Sequence, residues 1–416
     1  MTFNRNSINR REALKRFGLA GIGTATGASI LWNSKASGKD TKGEGKRGAG
    51  NSKMPRRKLG DTGVTVPALS FGAMFNMMEN QVMLHYSLQN GMDYWDTAYG
   101  YAGGNSELGI GKFFKDNPGT REKVYLVTKA SGASNPQQID DRLNKSLQRM
   151  NTDHVDLYYG IHGMSNPKEL TKELREWSEK AKSEGRIRHF GFSTHSNMAK
   201  CLKAAAENSD WIDAVMVKYN FGHADDQEMQ EAVQACYDNG VGITAMKVLR
   251  GGPQLKNAEN DKLAQQLIEK GYSNAQGKIK YLLEDKRVTT ANVRMENVAL
   301  AKENLGAVVD KGNLDSASKD ALKKFAYQTC DNYCAGCSDI CNAAMPAEMP
   351  YISDIMRYLM YHNSYGDVET AKELFYSLPA RVKNRLTAYD YSLAESYCPQ
   401  NIPIARLMQE AAHKLA

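Results

Sequence analysis

The 416-residue sequence offers little evidence of a membrane-spanning segment or of a nucleic-acid-binding surface. Its apolar stretch near the N-terminus, residues 17–32, is rich in Gly, Ala and Thr and is too short and too weakly apolar for a membrane span. Residues 1–36 carry +5 of the net charge of +7, so the rest of the chain is close to neutral and has no basic stripe interleaved with aromatic residues. We therefore expect a protein that neither binds nucleic acid nor is integral to a membrane.

The length and composition predict a globular protein with more than one domain. A chain of 416 residues exceeds the usual size of one compact core, and an apolar content of 41% is typical of folded proteins. Residues 37–54 are an exception, because Gly, Lys and Ser dominate and no apolar side chain occurs beyond Ala49 and Met54. We interpret this stretch as a flexible linker.

The N-terminal residues follow the order of an export signal. The adjacent arginines Arg10 and Arg11 precede the apolar stretch 17–32, and the small residues Ser34 and Ala36 follow where a cleavage site is expected. An uncleaved amphipathic helix is the alternative interpretation.

The hexapeptide RREALK, which begins with this arginine pair, resembles a twin-arginine (Tat) export signal. Ala13 stands where that motif usually has Phe, and Asn9 where it usually has Ser or Thr. The resemblance implies a signal peptide over residues 1–36, the Tat export machinery as a partner, and a periplasmic location.

Short runs of β-branched and aromatic residues alternate with longer helical patterns from residue 66 onward. Segments such as 136–150 and 171–185 have apolar residues at three- and four-residue spacing, as amphipathic helices do. The predicted strands are 66–74, 93–98, 123–129, 154–162, 187–194, 213–220, 242–248 and 288–293. Eight strands about 30 residues apart predict the α/β class, as a (β/α)8 TIM barrel over residues 55–310. A doubly wound open sheet is the alternative, but no Gly-x-Gly-x-x-Gly turn follows the first strand.

Polar side chains recur where these predicted strands end. Asp96, Lys129 and His162 are separated by 33 residues each, and the next three strands end near Thr194, Tyr219 and Lys247. Because the carboxyl ends of barrel strands share one mouth, six polar residues in register predict a functional site there.

The segment YWDTAYGYAGGNSELGIG, together with LVTKA, DLYYGIH, GFST and KYN in this order, resembles the aldo-keto reductase family. The resemblance covers residues 54–310 and implies reduction of carbonyl groups with a nicotinamide dinucleotide. Transferred by position, the catalytic residues are Asp96, Tyr101, Lys129 and His162.

The chemistry of these four side chains is consistent with that role. Hydride transfer to a carbonyl creates an alkoxide that must receive a proton, and Tyr101 could supply it. We expect the ammonium of Lys129 to lower the pKa of this tyrosine, with Asp96 as the counter-charge of the lysine. His162 would orient the carbonyl oxygen by a hydrogen bond. Tyr99 lies in the same loop and is the alternative tyrosine.

The resemblance also implies a set of residues that bind the dinucleotide. Ser193 and Thr194 would bind the carboxamide, with Thr194 in place of the more usual Asn, and Tyr219 would stack on the nicotinamide ring. Gly251 and Gly252 would allow close approach of the pyrophosphate. Lys247 could contact a phosphate or the substrate, or it could be a charge on the rim.

The adenosine end of the cofactor leaves NADP and NAD open. Asn297 and Asn304 occupy positions that match the last phosphate-binding turn of the family, but Leu300 stands where a basic residue is frequent. Arg294 is the nearby guanidinium that could bind a 2′-phosphate.

Four of the seven cysteines lie within twelve residues, in the segment CDNYCAGCSDIC. Disulfides are one interpretation, because an exported protein can form them. The spacing C-x3-C-x2-C-x3-C favours metal binding, because thiols this close pair poorly with one another. The run resembles the ferredoxin-type motif for a [4Fe–4S] cluster, lengthened by one residue, and such modules occur C-terminally in a subgroup of aldo-keto reductases. It predicts a small, mostly α-helical, ferredoxin-like iron–sulfur module over residues 311–416.

A later cysteine, Cys398, is followed by proline, as in the last ligand of a ferredoxin repeat. We hypothesise that Cys330, Cys334 and Cys337 bind one cluster with Cys398 as the fourth ligand. Cys341 is then either superfluous or the true fourth ligand.

These patterns together predict an exported NAD(P)-dependent oxidoreductase that interconverts a carbonyl and an alcohol on a small molecule, with sugar-like compounds as one candidate. We expect little free dinucleotide outside the cytoplasm, so the cofactor should stay bound and be recycled in place, by a second substrate or through the cluster. A purely structural role of the cluster stays open, and a redox partner is one candidate. The alternative is a barrel that binds nucleotide without turnover and serves as an electron-transfer or binding partner.

Overall fold

A closed parallel barrel forms the centre of the protein. The structure, a computed structural model, describes residues 54–249, 271–309, 312–328 and 334–416. The predicted signal peptide and nearly all of the predicted linker lie outside these residues. Two short strands, β1 (Arg56–Lys58) and β2 (Thr65–Pro67), pair in antiparallel fashion before the barrel begins. The predicted strand 66–74 is therefore divided, and only its second part enters the barrel.

Eight parallel strands close the barrel in chain order, which confirms the predicted (β/α)8 architecture. They are β3 (Leu69–Gly72), β4 (Tyr94–Asp96), β5 (Tyr125–Lys129), β6 (Val155–Met164), β7 (Ile187–Thr194), β8 (Ala214–Lys218), β9 (Gly242–Met246) and β10 (Thr290–Arg294).

Amphipathic helices surround these strands. They are α1 (Gln81–Gln89), α2 (Asn105–Asp116), α3 (Pro136–Met150), α4 (Lys172–Ser183), α5 (Met198–Glu207), α6 (Gln227–Asp238), α7 (Asn274–Glu284) and α8 (Val298–Val309). Side-chain oxygens accept the first free backbone N–H groups at several of their starts; Asn135, for example, accepts from Gln138 at the start of α3.

The two faces of each strand belong to different cores. Outward-facing residues such as Trp95 and Leu126 pack with the helices in the larger core. Inward-facing residues such as Tyr94 and Val127 fill the barrel. Since successive side chains of a strand alternate, the residue two positions beyond Tyr94 or Val127 also faces inward, at the carboxyl end.

A second unit, the C-terminal module, follows the barrel and has its own apolar core. Its helices are α10 (Ser338–Ala343), α11 (Ile352–Tyr365), α12 (Val368–Tyr376), α13 (Ala380–Arg385), α14 (Ser392–Ser396) and α15 (Ile404–Leu415). Buried side chains from α11, α12 and α15, such as Ile355, Phe375 and Met408, form that core.

Helix α9 (Ser316–Gln328) precedes the module and packs on the barrel instead. Its Leu322 is fully buried in a cluster with Phe221, which belongs to the loop after β8. The domain boundary predicted at residue 310 would assign this helix to the module, whereas its contacts are with the barrel.

Hydrogen bonds and an ion pair join the module to the barrel beside the cysteine segment. The backbone N–H of Asn197 donates to the carbonyl of Gly336 at 2.7 Å, and the hydroxyls of Ser196 and Ser353 are 2.9 Å apart. Asp339 pairs with Lys200 at 2.6 Å. No helix in the ranges given above has the length and apolarity needed to cross a membrane.

Candidate active site

Asp96 and Lys129 form a buried ion pair at the carboxyl ends of β4 and β5. Each lies two residues beyond an inward-facing core residue, so the alternation of the strands turns both side chains into the barrel. The Nζ of Lys129 is 2.6 Å from Oδ1 of Asp96, and the two side chains are 0% and 2% exposed. Asn292 of β10, which sequence reasoning did not identify, donates to Oδ2 of Asp96 at 2.9 Å.

The charges of this pair depend on each other. Burial raises the pKa of Asp96 and lowers the pKa of Lys129, and each partner opposes the effect of burial on the other. The lysine also donates to the carbonyl of Thr97 at 2.7 Å. With these bonds in place, the ionised pair is the state that the geometry favours.

Tyr101 lies directly above this pair. Its ring centroid is 4.8 Å from the Nζ of Lys129 and 6.0 Å from the ring of His162. The chain turns sharply after Tyr101, with Gly103 and Gly104 at φ values of 61° and 96°, where glycine avoids a steric penalty.

The alternative tyrosine, Tyr99, is engaged elsewhere. Its hydroxyl accepts a hydrogen bond from Arg142 at 2.8 Å, and the guanidinium of Arg149 lies 4.4 Å from the centre of its ring. The structure thus places Tyr101, and not Tyr99, beside the predicted catalytic residues.

The predicted lowering of the Tyr101 pKa by Lys129 is wrong for the structure described here. Burial raises this pKa well above 10, and the nearby Asp96 and Tyr361 raise it further, while Arg357 opposes them. The ammonium of Lys129 donates hydrogen bonds to Asp96 and to the carbonyl of Thr97, and it lies over the ring of Tyr101. Tyr101 is therefore a phenol that keeps its proton at neutral pH.

His162 completes the group of four predicted catalytic residues. A shift in register between β6 and β7 next to this residue sets its position. Its Nδ1 is 2.8 Å from the hydroxyl of Ser131, which itself accepts the N–H of Gly100 at 3.2 Å. Burial lowers the pKa of His162 well below 6.5, and Lys129 and two further cations add to the effect. The hydroxyl of Ser131 can donate its proton to Nδ1, and in that tautomer the neutral imidazole carries its own proton on Nε2.

The predicted carboxamide ligands lie on the neighbouring strand, β7. The hydroxyl of Ser193 accepts the N–H of Gly163, next to His162, at 3.1 Å. The hydroxyl of Thr194 donates to the carbonyl of Ser196 at 2.9 Å. Both are fully buried, and in the strand register Ser193 pairs with His162 and Thr194 with Met164.

Two predicted cofactor residues follow β8 and β9. The hydroxyl of Tyr219 donates to Asp285 at 3.0 Å, and its ring stacks on His223, so it belongs to a different polar cluster from the four residues above. Its stacking on nicotinamide stays a prediction. Lys247 is at the mouth, with its Nζ 4.3 Å from the ring centroid of Tyr361.

The residues predicted for the adenosine end are less concentrated. Arg294 is paired with Glu296 at 2.8 Å and with Asp367 of the C-terminal module at 3.3 Å. Asn297 accepts the N–H of Leu300 at the start of α8, and Asn304 is buried in that helix. Gly251 and Gly252 lie outside the described residues.

The C-terminal module contributes two residues to the mouth that the sequence did not reveal. Helix α11 brings Tyr361 over Lys247 and brings Arg357 beside Gly163, where its Nη1 would be 3.9 Å from a Cβ added to that glycine. No pattern in the sequence indicates which face of this helix meets the barrel.

Four predicted metal ligands line one pocket of the C-terminal module. The pocket has about 370 Å³ of empty volume, part of it open to solvent, and its cysteines are Cys334, Cys337, Cys341 and Cys398. Burial raises the pKa of Cys337 to about 11 and that of Cys341 to about 12, and the neighbouring thiols add to both shifts. Cys330 lies outside the described residues.

The cysteines that the structure describes are all free thiols. Cys201 and Cys236 are buried in helices of the barrel, far from the pocket in sequence. Within the same ranges, no three His, Cys, Asp or Glu side chains converge closely enough to share one metal ion.

Comparison with known proteins identifies the family. The sequence profile described as the Aldo/keto reductase family matches residues 68–326, which is 259 of the 416 residues. The chain therefore belongs to the aldo/keto reductase family. The match ends within helix α9, in agreement with the packing of that helix on the barrel.

Curated relatives match shorter segments. The chain is 33% identical over 125 residues to "Aldo-keto reductase yakc [NADP(+)]" of Schizosaccharomyces pombe, covering 26% of this chain and 36% of that protein. It is 32% identical over 99 residues to "Aldehyde reductase YPR1" of Saccharomyces cerevisiae, covering 24% and 30%. The chain thus spans about a third of the length of each of these two relatives.

Two solved structures match this chain over almost their whole length. A thermostable aldo-keto reductase, Tm1743, in complex with the inhibitor epalrestat, is 27% identical with a TM-score of 0.54, over 65% of this chain and 99% of that one. The holo form of aldo-keto reductase AKR11C1 from Bacillus halodurans has the same TM-score at 23% identity, over 65% and 96%, and supports the fold alone.

Proposed function

We propose that the protein interconverts carbonyl and alcohol groups on a small molecule. A bound NAD(P)H would supply the hydride. The observation that supports this most directly is the meeting of a phenol, a neutral imidazole and a buried ion pair at the mouth of a barrel of this family. Family membership and the printed names of the relatives, one of which includes NADP(+), are consistent with the proposal.

Tyr101 would be the proton donor in carbonyl reduction. Its raised pKa keeps the phenol protonated, so a proton is available for the oxygen as negative charge develops. The Nε2–H of His162, whose ring centre lies 6.0 Å from that of Tyr101, would donate a hydrogen bond to that oxygen. The Asp96–Lys129 pair would hold the tyrosine ring in place from below.

The residues at the mouth are of the chemical types that bind a dinucleotide. Lys247 supplies an amine at the end of β9, and the hydroxyl of Ser193 accepts a hydrogen bond from Gly163, the residue after His162. Arg294, in contrast, is already bound by two carboxylates, which weakens its assignment to a 2′-phosphate.

A pair of tyrosine variants tests this function. Tyr101→Phe should reduce kcat for a generic aldehyde such as benzaldehyde by about 10²- to 10⁴-fold, the usual contribution of an acid catalyst. Tyr99→Phe removes a hydroxyl two residues away and is the matched control. Equal rates for Tyr101→Phe and wild type would refute the proposed acid. A wild type that binds dinucleotide but reduces no aldehyde would favour the alternative, a binding or electron-transfer partner.

We further propose that the cysteine pocket holds a [4Fe–4S] cluster. Each thiolate of such a cluster binds a different iron, so the ligands surround a pocket and need not converge on one ion. Three of the proposed ligands, Cys334, Cys337 and Cys398, line this pocket together with Cys341, which is consistent with such a donor set.

Iron content distinguishes the possible ligand sets. We expect Cys398→Ala to lose iron and the visible absorbance of the cluster, and Cys341→Ala to retain both. Cys236→Ala, a buried thiol of the barrel, is the control. Loss only in Cys341→Ala would instead make Cys341 the fourth ligand.

Export through the Tat machinery to the periplasm, with a retained dinucleotide, is the third part of the proposal. It rests on the sequence of residues 1–36 and not on the described structure. Replacing both Arg10 and Arg11 by lysine should leave the protein in the cytoplasmic fraction. Mass spectrometry of the denatured, anaerobically purified protein should detect stoichiometric NAD or NADP; an empty protein would exclude retention.

A further inference from the structure

Arg357 of the C-terminal module lies next to the end of β6, the strand that carries His162. Its Nη1 would be in van der Waals contact, at 3.9 Å, with a Cβ added to Gly163. The side chain is about 20% exposed. A cation from one unit therefore faces the proposed site of carbonyl reduction in the other.

The hydrogen-bonding capacity of Arg357 is only partly used. Asp354 accepts from Nη2 at 2.9 Å, and Tyr358 is a second hydrogen-bond partner, whose ring centre lies 5.3 Å from the guanidinium. Nε is buried and has no acceptor among the described residues. Because a guanidinium carries five N–H groups in a planar fork, it can bind a second carboxylate while it keeps Asp354.

The surroundings of Arg357 carry more positive than negative charge. Lys247 lies over the ring of Tyr361, and Lys218 donates to the carbonyls of Cys334 and Ala335 at 3.0 and 2.6 Å. Burial lowers the pKa of Lys247 to about 7, and Arg357 is the largest electrostatic contributor to that shift. An anion bound here would relieve this repulsion.

We propose that Arg357 binds a carboxylate carried by the substrate, a few bonds from the carbonyl that reacts at Tyr101 and His162. The substrate class is thus small aldehydes or ketones that bear a carboxylate. This inference rests on the proposed carbonyl reduction and assigns the C-terminal module a part in substrate selection. Arg suits the role because its fork binds both oxygens of a carboxylate.

Selectivity between matched aldehydes tests the proposal. The ratio of kcat/KM for 2-, 3- or 4-carboxybenzaldehyde to that for benzaldehyde should exceed one for at least one isomer in the wild type. Arg357→Gln should lower that ratio by about 10- to 100-fold, the usual value of a charge-assisted hydrogen bond. Arg357→Lys, which keeps the charge but loses the fork, should give an intermediate ratio. Arg385→Gln changes an exposed arginine of the same module and should leave the ratio as it is.

Direct binding separates this proposal from the proposed activity. Calorimetric titration of the dinucleotide-loaded protein with benzoate should show binding that Arg357→Gln weakens to the same degree, even if no aldehyde is reduced. Thermal unfolding and iron content of each variant check that the module stays folded. A wild-type ratio near one that Arg357→Gln does not change would overturn the proposal. A weaker affinity for the dinucleotide with an unchanged ratio would also overturn it, because Arg357 would then bind a cofactor phosphate.

Discussion

Replacing Asp96 by asparagine should destabilise the protein through the lysine that it leaves unpaired. The substitution keeps the shape of the side chain but removes the charge that faces the Nζ of Lys129 at 2.6 Å, where both side chains are almost completely buried. Breaking a buried pair in this way typically costs about 3–5 kcal/mol. The same cost should appear for Lys129→Met, which leaves the carboxylate unpaired.

Deprotonation of Lys129 sets an upper limit to the free energy of unfolding that Asp96→Asn can cost. Lys129 can give up its proton instead of remaining charged, and an ordinary lysine has a pKa of 10.5. At pH 7 this deprotonation costs about 5 kcal/mol, since each pH unit below the pKa is worth about 1.4 kcal/mol. Where this deprotonation costs less than the unpaired charge, from a pH between about 7 and 8.3 upward, the unfolded variant binds one proton more than the folded variant. There its stability relative to wild type should rise with pH, by about 1.4 kcal/mol per unit up to about pH 10.

Urea unfolding of the wild type and four variants, measured at several pH values, provides the assay. The double variant Asp96→Asn with Lys129→Met should recover most of the stability that either single variant loses, because no charge is left unpaired. Lys172→Met breaks a pair on the surface of α4, whose side chains are 82% and 61% exposed, and should show no measurable change. A double variant as unstable as the sum of the two single variants would refute the reasoning. So would a cost of Asp96→Asn that does not change with pH.

The sequence predicts the barrel well because its signals are local and repeated. Each strand has an apolar β-branched run, and each helix has an apolar stripe, so the eight units are visible one at a time. The sequence does not predict the division of the first strand, because mostly apolar residues lie on both sides of the break at Ala68.

The sequence predicts only those residues of the candidate site whose position follows from the alternation of side chains along a strand. Asp96 and Lys129 follow inward-facing residues at strand ends, and the structure brings them together. Asn292 occupies a comparable position on β10 and could have been found by the same argument. Arg357 could not, because it reaches the mouth through the packing of a helix whose partner surface is not encoded in its own periodicity. The direction of the Tyr101 pKa shift was not predictable either, since burial raises this pKa and the nearby Asp96 adds to the effect.

Two further results would test the site and the attachment of the module. Because the raised pKa of Tyr101 keeps the phenol protonated, carbonyl reduction should be insensitive to this group from pH 6 to 9. Oxidation of the corresponding alcohol, which needs the phenolate, should rise about tenfold per pH unit to beyond pH 10; an alcohol-oxidation plateau near pH 7 would contradict the shift. Gly336→Ala should loosen the cysteine segment from the barrel, because φ is +86° and the new Cβ would lie 2.1 Å from the carbonyl oxygen of His195. Gly366→Ala, with a similar φ of +66° and no atom within 4 Å of the new Cβ, isolates the backbone strain. Limited proteolysis should therefore cut Gly336→Ala between barrel and module faster than this control, and equal rates would show that the close packing at Gly336 does not fasten the module.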